Sequence, residues 1–179
     1  MKKYIPNIIT TYRLIIALLI PILFFYSSFN VVSILFITAI LSDLIDGFLA
    51  RRWNVVSTYG KVADAIGDKL LALSASSTFV VTINKNFSIC LLLELLILTI
   101  NGLYYIESGN FKNNTFDNQA SSIYGKIKTW FLFFSLFIGL ISLKFEFLNI
   151  LILPSILITA VMQIITAINY IKDYKTLKQ

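Results

Sequence analysis

The stretch LSDLIDGFLARRWNVVSTYGKVADAIGDKLL, Leu41 to Leu71, decides how this chain is built. It sets Asp43, Asp46, Asp64 and Asp68 among leucines, isoleucines and alanines of the kind that fill a lipid bilayer. An ionised side chain at the bilayer centre costs about 2.5–3.5 kcal/mol on insertion scales, so four in one neighbourhood demand a compensating partner. On a helix, Asp43 and Asp46 are three positions apart and Asp64 and Asp68 four, so each pair shares one face of its own helix. The short junction RRWNVVST makes the two helices antiparallel neighbours and brings both pairs to a similar depth. Like charges that close raise one another's proton affinity unless a cation sits between them.

The rest of the chain agrees with a membrane setting. Of 179 residues, 58% are hydrophobic and only 13% charged, with a mean hydropathy of +0.82, far from the balance of a soluble domain. An all-α integral membrane protein follows, and its length predicts a single domain over residues 1–179. The chain has no histidine, which excludes a Ser-His-Asp arrangement and the commonest general base. Its one cysteine, Cys90, lies in an apolar run, so neither a disulfide framework nor a cysteine metal cluster forms within the chain. Chemistry here must use carboxylates, lysines, arginines and hydroxyls.

Six runs approach the ~20 residues a helix needs to cross the hydrocarbon core: Ile8–Tyr26, Val31–Ala50, Tyr59–Ile83, Phe87–Ile106, Ile123–Leu143 and Phe147–Ile171. The third qualifies only if Asp64, Asp68 and Lys69 face protein or water. Pro21 and Pro154 fall inside spans, where a kink is expected. The opening MKKYIPNIIT and its apolar run could pass for a secretory leader, but Arg13 interrupts the run and no small-residue cleavage site follows. Thirteen Lys and Arg residues, Arg13 among them, belong to the termini and the second-third and fourth-fifth junctions; Lys85 and Lys144 alone fall on the other side. Both termini and the aspartate stretch are therefore predicted to be cytoplasmic. The +6 charge reads as this orientation signal and not as nucleic-acid binding, because the basic residues flank spans and form no groove-sized patch. The Asn-rich stretch Glu107 to Ser122 reads as a mobile cytoplasmic connection.

Hard divalent ions suit the aspartates: Mg²⁺ or Mn²⁺ takes oxygen ligands and shares its sphere between carboxylates and substrate phosphates. Four carboxylates suit two ions, the clamp used in phosphoryl transfer. Gly60, Asp64 and Asp68 form one helical stripe, and Gly47 follows Asp46, leaving no Cβ where a diphosphate would approach. Arg51 is placed for a bidentate phosphate contact. Two other readings stand beside this one. The aspartates could pair with Arg51, Arg52, Lys61 and Lys69 to hold helices together, or line a proton or divalent-cation pathway, although they cluster at one depth.

The spacing Asp43-x2-Asp46-Gly47-x2-Ala50-Arg51-x8-Gly60-x3-Asp64-x3-Asp68 resembles, at every position, the signature of the CDP-alcohol phosphatidyltransferases. Within that family the chain is similar to phosphatidylglycerophosphate synthases: Pro6, Asn7, Thr10 and Arg13 keep the spacing of their N-terminal pattern, and DGFLARRWN and GKIKT (Gly125 to Thr129) are alike. The resemblance implies a six-helix bundle and transfer of the phosphatidyl group of CDP-diacylglycerol to an alcohol, best glycerol 3-phosphate, with release of CMP. It implies metal ligation by Asp43, Asp46, Asp64 and Asp68, with Asp68 as general base beside Asp64. It also implies a CDP pocket of Asp46, Gly47, Ala50, Arg51 and Gly60, an acceptor site at Lys126 and Lys128, and a homodimer in the cytoplasmic membrane. Glu94 either pairs with a lysine or positions the acceptor. The chain departs from the subgroup on the fourth helix, where Leu93-Glu94 stands in place of an arginine-glutamate pair and Asn101 in place of a further arginine, and at Ala63-Asp64-Ala65 in place of Leu-Asp-Pro. Other acceptors, such as glycerol, inositol phosphate, serine or phosphatidylglycerol (giving cardiolipin), would differ in the pocket beside Lys126 and Glu94.

Overall fold

All six predicted spans are helices in the computed structural model, which describes residues 5–53, 55, 58–107 and 123–177, some of them by backbone alone. The long helices are α1 (Ile5–Tyr26), α2 (Phe29–Arg52), α3 (Thr58–Thr82), α4 (Phe87–Glu107), α5 (Ile123–Ser142) and α6 (Asn149–Leu177). A single 3-10 turn, Glu146–Leu148, leads into α6. The ends fall within three residues of the predicted spans everywhere except at the close of α6, which runs to Leu177 instead of Ile171. Hydropathy marks where the apolar run stops, but the helix continues into polar residues that are adequate helix formers. The connection predicted for 107–122 lies, beyond Glu107, outside the described residues.

Among the described residues, five helices carry a stretch long and apolar enough to cross a membrane: Ile5–Tyr26, Phe29–Leu49, Phe87–Tyr104, Tyr124–Ser142 and Glu146–Lys175. The protein is a multi-pass membrane protein. Helix α3 is also long, 25 residues or about 37 Å, but Lys61, Asp64, Asp68 and Lys69 interrupt its apolar sequence. The helices α1 and α6 pass through Pro21 and Pro154 without interruption.

The chain divides into two compact units, Met1–Thr78 and Phe79–Gln179. In the first, α1 packs along α2. The buried residues of α1 are Pro6, Thr10, Arg13, Ile16, Ala17 and Ile20, a stripe at alternating steps of three and four. Its other faces, with Ile8, Ile15, Leu18, Ile22 and Phe25 exposed, are apolar as well. Beyond its first turns such a helix is hydrophobic all round, and its one charge, Arg13, is turned inward with Thr10. On α2 the buried stripe is Val32, Phe36, Ala39, Ser42 and Asp46. The Tyr12 and Thr38 hydroxyls, 2.9 Å apart, add a contact to this seam. Helix α3 buries Ala63 and Gly67.

In the second unit α6 packs against both α4 and α5. Phe79 and Phe87 meet edge to face across the turn into α4, centroids 5.6 Å apart. Gly139 of α5 lies beneath them; a Cβ there would sit 2.8 Å from Phe87 Cζ. Hydroxyls of α6 approach α5 as well as their own helix: Thr159 lies 3.0 Å from the Phe131 carbonyl and 2.8 Å from that of Ser155, Thr166 3.3 Å from that of Tyr124 and 2.8 Å from that of Met162, and each single hydrogen serves one acceptor at a time. Cys90 is a buried free thiol.

Candidate active site

The four motif aspartates converge on one cation, and that cation is Arg13 of α1. Its Nη1 donates to Asp43 Oδ1 and, at 2.7 Å, to Asp68 Oδ1; its Nη2 donates to Asp64 Oδ1 and, at 3.4 Å, to Asp46 Oδ2. A guanidinium has four hydrogens on its two terminal nitrogens, and here each finds a different carboxylate. The sequence had placed Arg13 among the membrane-flanking charges that set orientation. The structure buries its side chain completely, and a charge can be buried on the inner face of a helix only against opposite charges. The predicted juxtaposition of the two acid pairs therefore holds, but the residue that meets them comes from a third helix.

The four carboxylates are not equivalent. The Asp46 side chain is 5% exposed, whereas Asp43, Asp64 and Asp68 are 32%, 46% and 31% exposed. Asp46 also takes the Thr10 hydroxyl, 2.7 Å away, so α1 grips α2 at two points one turn apart. The Thr10 oxygen lies 3.0 Å from the Pro6 carbonyl too, and its single hydrogen serves one of the two acceptors at a time. The more open three, Asp43, Asp64 and Asp68, can each bring one carboxylate oxygen within 4.8 Å of the others. Among the described residues this triad is the group whose oxygens already lie that close, while Asp46 stands behind it with Oδ2 on Thr10 and Arg13.

The triad fits a divalent cation on its own chemistry. Its donors are hard carboxylate oxygens, it is reachable from outside, and Arg13 alone is outnumbered by the four carboxylates it meets. Of the helix-holding cations the sequence offered, Arg52 lies over the Phe48 ring at 5.8 Å, while the side chains of Arg51 and Lys61 are outside the described residues. Of the glycines predicted for the diphosphate, Gly47 lies in α2 directly after Asp46 and Gly60 in α3 one turn before Asp64. Ala50 belongs to the last turns of α2, with its side chain likewise undescribed.

One further glycine matters that the sequence did not single out. A Cβ on Gly67 would lie 3.2 Å from Arg13 Nε, a tight contact that the guanidinium could relieve only by giving a few tenths of an ångström. Thr10 and Arg13 were visible as a pattern, and their i, i+3 spacing was a signal that both face one way. Nothing local announced Gly67.

The predicted acceptor residues lie in the second unit. Lys128, buried at 7% exposure, forms an ion pair with Glu94, and Gln163 Nε2 donates to Glu94 Oε2 at 3.0 Å and to the Cys90 carbonyl at 3.1 Å. Of the two readings of Glu94, the lysine pair is the one observed. Lys126 is exposed. Gln163, 0% exposed, is a member of this cluster that sequence reading missed; it stands 69 positions from Glu94, beyond any local pattern.

The residue pattern of the CDP-alcohol phosphatidyltransferase family matches residues 3–170. Several bacterial proteins named CDP-diacylglycerol–glycerol-3-phosphate 3-phosphatidyltransferase are similar. That of Rickettsia typhi is 29% identical over 180 residues, covering 97% of this chain and 98% of the relative. That of Mycoplasma pneumoniae is 32% identical over 127 residues, 58% of this chain and 55% of the relative. That of Bacillus subtilis is 32% identical over 101 residues, 55% of this chain and 48% of the relative. The match runs through both acid pairs, the three-helix convergence on Arg13 and the lysines of α5, and on it the chain belongs to the CDP-alcohol phosphatidyltransferase family of membrane transferases.

Proposed function

We propose that the protein transfers the phosphatidyl group of CDP-diacylglycerol to glycerol 3-phosphate, releasing CMP, as a step of phospholipid biosynthesis. The observation that carries this reading is the convergence of two acid pairs from α2 and α3, three of the four carboxylates open to an incoming ligand. The names of relatives similar over nearly the whole chain support glycerol 3-phosphate as acceptor. Because the family match crosses both compact units, we read residues 1–179 as one catalytic domain. A homodimer is the expected assembly, by family resemblance.

Asp43, Asp46, Asp64 and Asp68 are the proposed holders of two divalent ions, Mg²⁺ or Mn²⁺. Bound there, such ions would polarise the phosphoryl oxygens and offset the charge left on departing CMP. Asp68 accepts the proton of the acceptor hydroxyl. The hydroxyl oxygen bonds to the phosphorus that carries diacylglycerol, and the bond from that phosphorus to the CMP oxygen breaks, so the electron pair leaves with CMP. Asp64 holds its place beside Asp68 one turn away, and Gly47, Ala50, Arg51 and Gly60 receive the cytidine diphosphate. The bulk of the rate enhancement comes from positioning and electrostatics, as suits phosphoryl transfer. Lys126 and Lys128 take the acceptor phosphate, with Glu94 setting the position of Lys128. The predominance of basic residues at the termini and at the α2–α3 and α4–α5 junctions supports a site on the cytoplasmic face of the cell membrane.

A second reading is an acceptor with less negative charge, such as glycerol. It is favoured by the buried Glu94–Lys128 pair, in which the lysine is already neutralised. Supplying radiolabelled CDP-diacylglycerol with a panel of alcohols and identifying the lipid formed separates the two. Phosphatidylglycerophosphate as main product supports the first; transfer to glycerol alone replaces it with the second; no transfer to any alcohol ends both.

A further inference from the structure

We propose that Arg13 is a resident counter-cation of the carboxylate site, a positioning residue that holds the four acids together and competes with divalent ions for the same carboxylates. The members of the metal-capable triad, Asp43, Asp64 and Asp68, are each acceptors of an Arg13 N–H. An arriving ion must therefore share them with, or take them from, a group tethered to α1. The tether is firm on its inner side. The guanidinium is fully buried, its Nε has no hydrogen-bond partner among the described residues, and Gly67 closes the space beside that nitrogen.

Charge counting gives the direction of the effect. On formal charges, four ionised carboxylates with Arg13 sum to three net negative charges, and without it to four; whatever their protonation, losing Arg13 makes the cluster more negative by one charge. Arg13 thus keeps the acids from driving α2 and α3 apart when no ion is bound. The same positive charge repels a divalent ion at close range. Removing it should weaken the metal-free protein and strengthen metal binding at once. A clamp with a purely structural role would do only the first.

The test uses the full chain in detergent micelles, as parent, Arg13→Gln and Arg13→Lys. Mn²⁺ binding is followed by the electron paramagnetic resonance of free Mn²⁺, and thermal unfolding is measured in EDTA and in saturating Mn²⁺. For Arg13→Gln we expect Mn²⁺ affinity to rise about tenfold, ~1.4 kcal/mol. Its melting temperature should fall in EDTA, and Mn²⁺ should close most of that deficit. Affinity equal to or below the parent's, or a deficit of the same size with and without Mn²⁺, overturns the proposal. If Arg13→Gln does not fold, Arg13→Lys decides. Lysine keeps the charge but has three donors in place of the planar fork, so it should melt lower in EDTA and regain the parent value in Mn²⁺. A deficit that Mn²⁺ leaves untouched sinks the idea. The inference rests on the divalent-ion reading of these aspartates: a parent that takes up no Mn²⁺ fails that reading, whereas uptake indifferent to residue 13 fails this one.

Discussion

Asp68 and Asp46 differ in a way that a mutation series can measure. Asp68 has an exposed edge and, in the proposed reaction, a proton to receive; Asp46 is shut behind Thr10. Asp68→Asn is expected to lower the rate of phosphatidyl transfer by about 10²–10⁴-fold, the usual weight of a general base. Its helix content by circular dichroism should stay unchanged, because asparagine keeps the size of the side chain. Retention of the parent rate in a folded Asp68→Asn protein would remove the residue from the chemistry. In the second unit, Glu94 and Lys128 form a buried pair whose halves depend on each other. Glu94→Gln or Lys128→Met alone should destabilise by about 3–5 kcal/mol, since each leaves an unpaired buried charge, and the double variant should cost clearly less than the sum. Thermal unfolding of the four proteins checks this; additive losses would mean the pair is not coupled.

Each acid pair was legible as face-sharing residues, because helical periodicity fixes which side of a helix a residue occupies. At the scale of the helices, the partner of that face is decided by packing that no local pattern encodes. Arg13 contacts residues 30 to 55 positions away, so it read as a flanking charge until α1 was laid beside α2 and α3. Small residues are what permit the approach. Gly67→Ala should press a methyl group on the Arg13 guanidinium, which four carboxylates hold in place, and cost about 1–3 kcal/mol as over-packing does. Gly139→Ala, whose Cβ would meet Phe87 at 2.8 Å, should cost a similar amount by displacing the Phe79–Phe87 edge-to-face contact. The contrast with Gly102→Ala is the control: nothing lies within 4 Å of that position, so a helix-interior alanine should be neutral or stabilising there. Equal melting temperatures for all three variants would contradict the packing account.

For the molecule as a whole, the charge bias predicts orientation. In a Cys90→Ser background, a cysteine at Lys85 should react with a membrane-impermeant maleimide in intact cells, and one at Lys172 only after permeabilisation; the reverse pattern inverts the proposed topology. Hydropathy and helical spacing settled by themselves that this is a helical membrane protein and that two acid pairs face inward, because in lipid every backbone polar group must be paired within its own helix and every buried charge needs a partner. Which partner they have is a three-helix property: Arg13 serves all four acids only because α1, α2 and α3 bring their polar faces to one point, and Gln163 caps Glu94 only because α6 lies against α4. Periodicity specifies a direction around a helix axis, whereas distance between helices depends on the side chains that fill the gap, and that information exists only once the chain is folded.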